Sequence, residues 1–239
     1  GEEDLPWAKY YSHGFQGPGG WYIENSRTTF GEKDPVSEMN SKLWNSGSEK
    51  DKDIARSRRR KTNYVSSIYI VSDPANPQNE GKIFLYRYGQ KIFNKIQEAM
   101  QPEFQDEEPI NPFDFWTGAD FKLKIRKVSG YLNYDKSEFA SPSPLLGGDD
   151  AQLEDLWKKQ YSLSEFTDPA KYKSYEELKT KLQTVIGDDI RAVMDSKPKT
   201  VENVEVTETK TKSEEANDSS SEIEESDALT YFEKLAADD

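Results

Sequence analysis

Two β-rich runs separated by a turn constrain the fold of this chain more than any other feature. The run YVSSIYIVS, residues 64–72, is rich in β-branched and aromatic side chains, which favour strands. It ends at DPANPQNEG, residues 73–81, where Pro, Asn and Gly indicate a turn. A second run, KIFLYRY at residues 82–88, follows directly. The pattern predicts an antiparallel hairpin with a long loop, whose second strand carries three aromatic side chains on one face: Phe84, Tyr86 and Tyr88.

Shorter patterns predict the remaining elements. The predicted strands are residues 20–24 and 120–128, and the predicted helices are residues 90–100, 151–160 and 174–186. In the strand at 120–128, apolar residues at every second position alternate with Lys and Arg, as in a half-buried strand: Phe121, Leu123 and Ile125. The last helix opens with Ser174-x-x-Glu177, a capping box. Together these elements favour a mostly β fold with peripheral helices, built on an antiparallel barrel or sandwich.

Charge divides the chain into two regions. The net charge is −13, and −10 of it lies in residues 187–239. Residues 196–226 are rich in Glu, Ser, Thr and Lys and contain no aromatic residue, so we expect them to be disordered. We therefore predict a folded core at 1–189 and an acidic, largely disordered tail at 190–239.

The end of the tail differs from the rest of it. In DALTYFEKLAADD, apolar residues recur at helical spacing within an acidic context. This stretch is either a frayed end or a partner-docking motif that folds on contact. The candidate partner-binding residues are Leu229, Tyr231, Phe232 and Leu235.

The residues that common catalytic sites need are scarce. The chain has one histidine, His13, and no cysteine, and it lacks the G-x-S-x-G, G-x-x-x-x-G-K-[ST] and G-x-G-x-x-G motifs. Asp73, Glu80 and Lys82 have the residue types of a metal nuclease, but the prolines and glycine around them indicate a turn. A carboxylate pair for glycoside cleavage stays open, because sequence gives no distances. We predict a protein that is not an enzyme.

No apolar run approaches the ~20 residues of a membrane span, so we expect no membrane partner.

A cationic cluster interrupts this acidic chain. ARSRRRKTNY, residues 55–64, places five cations within six positions. A solvated loop, a protected strand edge and a nuclear-localisation signal all fit these residue types. A phosphate-binding cluster fits them too, because Arg can donate two parallel hydrogen bonds to phosphate. Aromatic residues in polar surroundings favour this last interpretation, since aromatic side chains interleaved with cations are typical of single-strand binding. These residues are Tyr131 and Tyr134 in SGYLNYD, and Trp44 in NSKLWNSGS, which is predicted to be a loop.

Several blocks, in order, resemble one known family. They are HGF and WYIE (13–15 and 21–24), RRKTNY (59–64), DPANPQNEGKIFLYRYGQKI (73–92), KVSGYLNYDKSEF (127–139) and KSYEELKTKL (173–182). Over about residues 10–187 the chain resembles the single-stranded-DNA-binding, helix-destabilising protein of T-even-type phages. The resemblance implies an OB-fold-based core with a basic, aromatic-lined cleft for single-stranded DNA, acting in DNA replication, recombination and repair in the host bacterial cytoplasm.

The same resemblance implies particular contact residues. Arg60 should contact phosphate, helped by Arg58, Arg59 and Lys61, and Arg87 and Lys91 should be further backbone contacts. The residues that match cleft-lining aromatic positions are Trp44, Tyr86, Tyr131 and Tyr134. Two aromatic positions of the family are Ala55 and Val65 here, so we expect a smaller stacking surface.

The family also implies interactions between proteins. An N-terminal basic segment drives self-association along DNA in the full-length protein, and this segment is not found in the present sequence. The acidic tail contacts replication and recombination proteins of the phage. As a tethered polyanion, it is also expected to occupy the DNA cleft when DNA is absent.

The family's zinc site is altered in this chain. The family binds one zinc ion through a histidine and three cysteines; His13 matches the histidine, Ser26 and Ser37 match two cysteines, and the third falls in a gap before Pro35. One histidine cannot form a tetrahedral zinc site, so we predict no cofactor. The 13–46 subdomain is then expected to fold without metal, around four aromatic residues: Phe15, Trp21, Tyr22 and Phe30.

Two alternative functions stay open. Stacking and phosphate contacts do not distinguish the sugars, so the chain could bind RNA or single strands in general through an OB-fold. A metal-dependent nuclease is the weaker alternative, because it rests on the turn residues at 73–82 alone.

Overall fold

The computed structural model describes residues 5–104 and 106–187. The predicted tail at 190–239, with Leu229, Tyr231, Phe232 and Leu235, lies outside the described residues.

A four-stranded antiparallel sheet, curled like a half-barrel, is the centre of the described residues. Its strands are β1 (Ala8–Gly17), β2 (Gly20–Asn25), β3 (Lys61–Tyr69) and β4 (Ile83–Tyr88), in the order β2-β1-β3-β4. The predicted hairpin with a long loop is confirmed, because β3 pairs with β4 from Tyr64 opposite Tyr88 to Tyr69 opposite Ile83.

Five helices surround this sheet. They are α1 (Pro35–Trp44), α2 (Glu49–Ser57), α3 (Gln90–Met100), α4 (Asp150–Lys158) and α5 (Tyr175–Val185). The three predicted helices are thus confirmed, as is the capping box, in which Ser174 and Glu177 satisfy each other's backbone N–H groups. The coarse prediction of a mostly β fold with peripheral helices is confirmed as well.

The prediction of one continuous strand at 120–128 is wrong. The segment contains two short strands, β5 (Phe121–Lys122) and β6 (Arg126–Val128), which pair with different partners. β6 pairs with β7 (Tyr131–Asn133), and β5 pairs with β8 (Glu138–Phe139). The side chain of Ser137 causes the break, because its hydroxyl accepts a hydrogen bond from the Lys124 amide and donates one to the Lys124 carbonyl. Leu123 and Ile125 are consequently exposed rather than half-buried.

Two hydrophobic cores pack against the sheet. The first lies between β1, β2 and helices α1, α2 and α5, and includes Phe15, Tyr22, Met39, Leu43 and Leu182. The second lies under α3 and consists of Tyr64, Tyr88, Ile92, Phe93 and Ile96. Of the four aromatic residues predicted to hold the 13–46 subdomain together, Phe15 and Tyr22 are buried and stack on each other. Trp21 is 58% exposed, because β-strand alternation directs it away from the core that buries Tyr22. Phe30 packs edge-on against Tyr172.

The turn between β1 and β2 holds the end of α5 close to the sheet. The amide of Gly19 donates a 3.0 Å hydrogen bond to the carbonyl of Val185. A side chain at Gly19 would place its Cβ 1.8 Å from the carbonyl oxygen of Thr184, so only glycine allows this approach.

Among the residues 5–104 and 106–187, no helix has the length and apolar character needed to cross a membrane.

Candidate nucleic-acid interface

Three tyrosines form a stacked row on one face of the sheet. The register places Tyr64 opposite Tyr88 and Ser66 opposite Tyr86, so strand alternation puts the three rings on the same side. Tyr64 and Tyr88 stack with ring centroids 5.8 Å apart, and Tyr88 and Tyr86 stack at 5.4 Å. We call Tyr64, Tyr88 and Tyr86 the tyrosine row, and the side of the sheet that carries it the front face. Phe84 continues the alternation along β4 and is 38% exposed, so it extends the row towards solvent.

The inner end of the tyrosine row is rigidly held. Phe93 of α3 stacks on Tyr64 at 3.8 Å, and the Tyr64 hydroxyl donates to the Gln90 side chain at 3.0 Å. The hydroxyls of Tyr88 and Ser66 share a 2.8 Å hydrogen bond. Burial raises the pKa of Tyr88 to about 12, so this phenol stays neutral at physiological pH. Tyr64 and Tyr88 therefore support the exposed part of the row rather than offering free ring faces themselves.

Tyr86 and Tyr134, both singled out from the sequence, come together at the outer end of the row. Burial raises the pKa of Tyr86, and the nearby Tyr134 raises it further. Both residues are partly buried against the second core. The structure thus joins a strand residue and a loop residue that are almost fifty positions apart in the sequence.

Cations flank the other end of the front face. The Arg60 guanidinium lies 3.7 Å from the centroid of the Tyr11 ring, and it donates to the Thr28 hydroxyl at 3.2 Å. Lys9 Nζ lies 5.7 Å from the Tyr11 ring and 5.9 Å from the Tyr64 ring. Tyr11 pairs with Thr62 on β3, two positions before Tyr64, so this group lies beside the tyrosine row. We call Lys9, Tyr11 and Arg60 the cation corner.

The sequence interpretation missed two members of the cation corner. Lys9 and Tyr11 lie in AKYYSHGF, where Lys9, Tyr11, His13 and Phe15 occupy alternate positions of one strand. That alternation could have placed them on one face, but it does not say which strand lies beside them. The pairing of β1 with β3 supplies this information.

The cationic cluster at 56–61 does not act as a single patch. Arg58 is 7% exposed and lies over the Phe15 ring at 5.1 Å, with its guanidinium 3.9 Å from the sulfur of Met39. Burial lowers the pKa of Arg58. Its side chain is turned into the first core, which does not agree with the predicted DNA contact. Arg56 pairs with Asp53 on α2.

Two other predicted phosphate contacts lie on the opposite side of the sheet. Lys61 pairs with Ser12, one position along from the Thr62–Tyr11 pair, so its side chain extends from the side opposite the tyrosine row. We call this side the back face. Arg87 pairs with Val65 and alternates with Tyr86 and Tyr88 in the same way. The back face is covered in part by the segment 161–166, through the stacking of Tyr10 on Phe166 and the bonds between Ser67 and Tyr161. Arg59 and Lys91 are both exposed.

Trp44 is the last residue of α1 rather than part of a loop. It is 49% exposed, and the Arg56 guanidinium lies 5.3 Å from its ring. Trp44 and Arg56 therefore form an aromatic–cation pair of the kind that also makes up the cation corner.

Tyr131 lies on an exposed hairpin. β6 and β7 are joined by Ser129 and Gly130, which both have positive φ angles, as a tight hairpin turn requires. Tyr131 is 79% exposed, so its ring is available for stacking. The same hairpin carries Arg126, which pairs with Asp135, and Lys127. Tyr131 and Tyr134 are close in sequence, but one is exposed and the other is packed against the second core.

Known proteins that are similar to this chain bind DNA. A family model described as "gp32 DNA binding protein like" matches residues 1–186. The chain is 41% identical over 192 residues to the single-stranded DNA-binding protein of Enterobacteria phage T2 and 40% identical over 192 residues to that of Enterobacteria phage T4. Each alignment covers 78% of this chain and 62% of the relative, so the chain spans less than two thirds of the length of either protein.

Proposed function

The chain belongs to the gp32-like family of DNA-binding proteins, and on that premise we propose that it binds single-stranded DNA along the front face of its sheet. The observation that carries this proposal is the adjacency of the tyrosine row and the cation corner. Aromatic rings that stack on bases, beside cations that follow the phosphate backbone, give affinity with little sequence specificity.

Each group has a distinct role in this proposal. Arg60 binds a phosphate while the Tyr11 ring holds its guanidinium in place. Tyr86, Tyr134 and Tyr131 stack on bases, and Tyr64 and Tyr88 hold the row rigid from below. Arg59, Lys91 and the Trp44–Arg56 pair add contacts with the backbone or with further bases. Arg58, which is buried, is not in the contact set. Lys61 and Arg87, on the back face, contribute less than Arg60.

The finer fold description is also a proposal. We infer that the curled sheet β2-β1-β3-β4, followed by α3, is the core of an OB-fold, with residues 13–46 as an attached N-terminal subdomain that needs no metal. In support, the strand pairs are all antiparallel and the front face carries the aromatic residues that OB-folds use to bind single strands.

The biological setting follows from family membership. We propose that the protein protects single-stranded DNA during phage replication, recombination and repair, in the host bacterial cytoplasm, and acts by binding rather than by catalysis. We further propose that the acidic tail at 190–239 contacts other replication and recombination proteins, and that self-association on DNA is a property of the full-length protein.

The test is binding of labelled oligo-dT across a salt series, measured by fluorescence anisotropy beside a duplex and an oligo-U strand of equal length. We expect a strong preference for oligo-dT over duplex, and log K should fall with log salt at about −0.7 per phosphate contacted. Equal binding to oligo-U would favour a general single-strand binder over a DNA-specific one. Equal binding to duplex would contradict the proposal, and loss of intact oligo-dT with Mg²⁺ would indicate a nuclease.

A further inference from the structure

A buried histidine and a buried carboxylate meet at the centre of the N-terminal subdomain. His13 of β1 and Asp34, just before α1, are each 1% exposed, and His13 Nε2 lies 3.4 Å from Asp34 Oδ1. The other ring nitrogen, Nδ1, lies 3.1 Å from the carbonyl oxygen of Arg58. A carbonyl oxygen only accepts, so Nδ1 is the donor and Nε2 is the nitrogen that faces the carboxylate. The ring thus connects β1 with the chain after α2.

Asp34 collects hydrogen bonds from two further segments. Its Oδ1 accepts from the amides of Val36 and Ser37 at 3.0 and 3.1 Å, which caps the first turn of α1. Its Oδ2 accepts from the amide of Arg27 at 3.3 Å. Burial alone would raise the pKa of Asp34, but the nearby His13 ring and the hydrogen bond from the Ser37 amide lower it. Both oxygens of Asp34 therefore accept from N–H groups at the start of the 3₁₀ helix at Arg27–Phe30 and in the first turn of α1, and the His13 ring of β1 lies beside them.

These are the positions at which the family resemblance implies zinc ligands. His13 matches the histidine and lies beside Asp34, and Ser37, which matches one of the cysteines, donates its amide N–H to Asp34. Ser26, which matches another cysteine, directly precedes Arg27, whose amide also donates to Asp34, while the Ser26 hydroxyl bonds to Thr28. Asp34 directly precedes Pro35, beside the gap in which the third cysteine falls. The structure therefore places the residues at three of these positions around Asp34, which stands beside the fourth.

A zinc ion does not fit this set of side chains. Structural zinc is held by four ligands, drawn from thiolate, imidazole and carboxylate. Here the described residues offer one imidazole, one carboxylate whose oxygens already accept amide N–H groups, and the hydroxyls of Ser26 and Ser37. The donor set favours an anion surrounded by N–H and O–H groups, which is the opposite of a cation site.

We propose that the Asp34 carboxylate takes the structural place of the metal ion in this subdomain, with His13 as its partner. A metal ion would connect β1, the 3₁₀ helix and the start of α1. Asp34 connects the same three segments through its 3.4 Å approach to His13 and through its hydrogen bonds with the amides of Arg27, Val36 and Ser37. The inference concerns the stability of the subdomain and does not depend on the DNA-binding proposal.

The first experiment measures metal content and unfolding of the full chain. We expect no stoichiometric zinc by elemental analysis after purification in zinc-containing medium. The urea midpoint should be the same with a chelator and with added zinc. One zinc per chain, or a lower midpoint in chelator, would overturn the proposal.

The second experiment removes the charge but not the shape. Asp34→Asn retains an oxygen that can cap α1, so a cap alone would be largely preserved. If the carboxylate is the centre of the subdomain, Asp34→Asn should raise the unfolding equilibrium constant about 100-fold, because the N–H groups around it lose their buried anionic acceptor. His13→Gln should have a similar effect. The double variant should lose less unfolding free energy than the sum of the losses in the two single variants.

The matched control is Tyr22→Phe. The Tyr22 hydroxyl is buried close to Asp34 and has no hydrogen-bond partner in the described part of the chain, so its removal breaks no bond to the carboxylate. We expect Tyr22→Phe to be neutral or stabilising. An unchanged midpoint for Asp34→Asn, or equal losses for both variants, would contradict the proposal.

The third experiment adds a metal site and remains informative if Asp34→Asn does not fold. The triple variant Ser26→Cys, Asp34→Cys and Ser37→Cys should bind one zinc ion together with His13 and become sensitive to chelator. Zinc binding would show that the four positions converge as the structure describes. A triple variant that folds but binds no zinc would refute that convergence, and with it the proposal.

Discussion

The guanidinium of Arg60 lies 3.7 Å from the centre of the Tyr11 ring, at the junction between the chain after α2 and the front face of the sheet. An Arg held over a ring keeps its N–H groups free around its edge, where a phosphate can accept them. This contact fixes the orientation of one residue of a dense cationic cluster, as the proposed bond to phosphate requires, while Arg58, two positions earlier, is buried.

Replacing Arg60 should weaken DNA binding more than replacing any back-face cation. We expect Arg60→Ala to lower affinity for oligo-dT about tenfold, or about 1.4 kcal/mol, and to reduce the salt slope by about 0.7. Anisotropy titrations at several salt concentrations would measure both. The matched control is Arg87→Ala, which removes an exposed cation from the back face. Equal effects of the two variants would mean that the strand does not follow the front face.

Tyr131 should contribute to binding without contributing to stability. Its ring is 79% exposed, so Tyr131→Ala should change the unfolding free energy by less than about 0.5 kcal/mol. A stacked base is worth roughly 1–3 kcal/mol, so binding should weaken by that amount. Tyr131→Trp should retain the affinity of the parent, because an indole ring can also stack on a base. Leu132→Ala, a neighbouring substitution of an exposed apolar side chain on the same hairpin, should leave binding unchanged, and a similar loss there would argue against stacking by Tyr131.

Acid should weaken the contact between β2 and α5. Burial alone would raise the pKa of Glu24, but hydrogen bonds and attraction from Lys173 and Lys181 lower it below its usual 4.5. A carboxyl whose pKa is lower in the folded chain stabilises the fold at pH values above its unfolded pKa, and this stabilisation is lost as the pH falls through the folded pKa. The free energies of unfolding of the parent and of Glu24→Gln, measured by thermal melts, should therefore differ by about 1 kcal/mol at pH 7. The difference should begin to shrink below pH 4.5 and should disappear only once the pH lies below the lowered pKa of folded Glu24. A difference that does not shrink with acid would exclude this ionisation as its source.

Removing residues 190–239 should tighten binding to oligo-dT, most clearly at low salt. The tail carries most of the net negative charge and is covalently linked to the DNA-binding core, which is expected to give it a high effective concentration. The affinities of the parent and the shortened chain should approach each other as salt increases, because screening weakens the tail's competition. Identical affinities at all salt concentrations would restrict the tail to contacts with other proteins.

Local signals in the sequence predicted the local structure well. The capping box at Ser174 and Glu177 and the hairpin around residues 73–81 depend on neighbouring residues, and both are confirmed. The break in the strand at 120–128 could not be predicted, because it depends on a hydroxyl thirteen positions after Lys124.

The candidate site was predictable only in part, for the same reason. Aromatic residues on alternate positions of 82–88 placed Tyr86 on a face with Tyr88, but nothing local connects Tyr86 with Tyr134 or Arg60 with Tyr11. Arg58 is the clearest example: by sequence it is one of five similar cations, yet the neighbouring Phe15 and Met39 decide that it is buried. Tertiary contacts determine which of these side chains are buried and which meet at the site, and the periodicity of the sequence does not specify those contacts.

The hairpin of β6 and β7 has a consequence for how the protein could load onto DNA. Within the described residues, these two strands pair with each other and with no strand of the four-stranded sheet. In that part of the chain no strand pairing closes the hairpin onto the four-stranded sheet, so we expect single-stranded DNA to enter from the side rather than to be threaded from an end. Closed circles, which offer no free terminus, should then be bound as readily as a linear oligonucleotide.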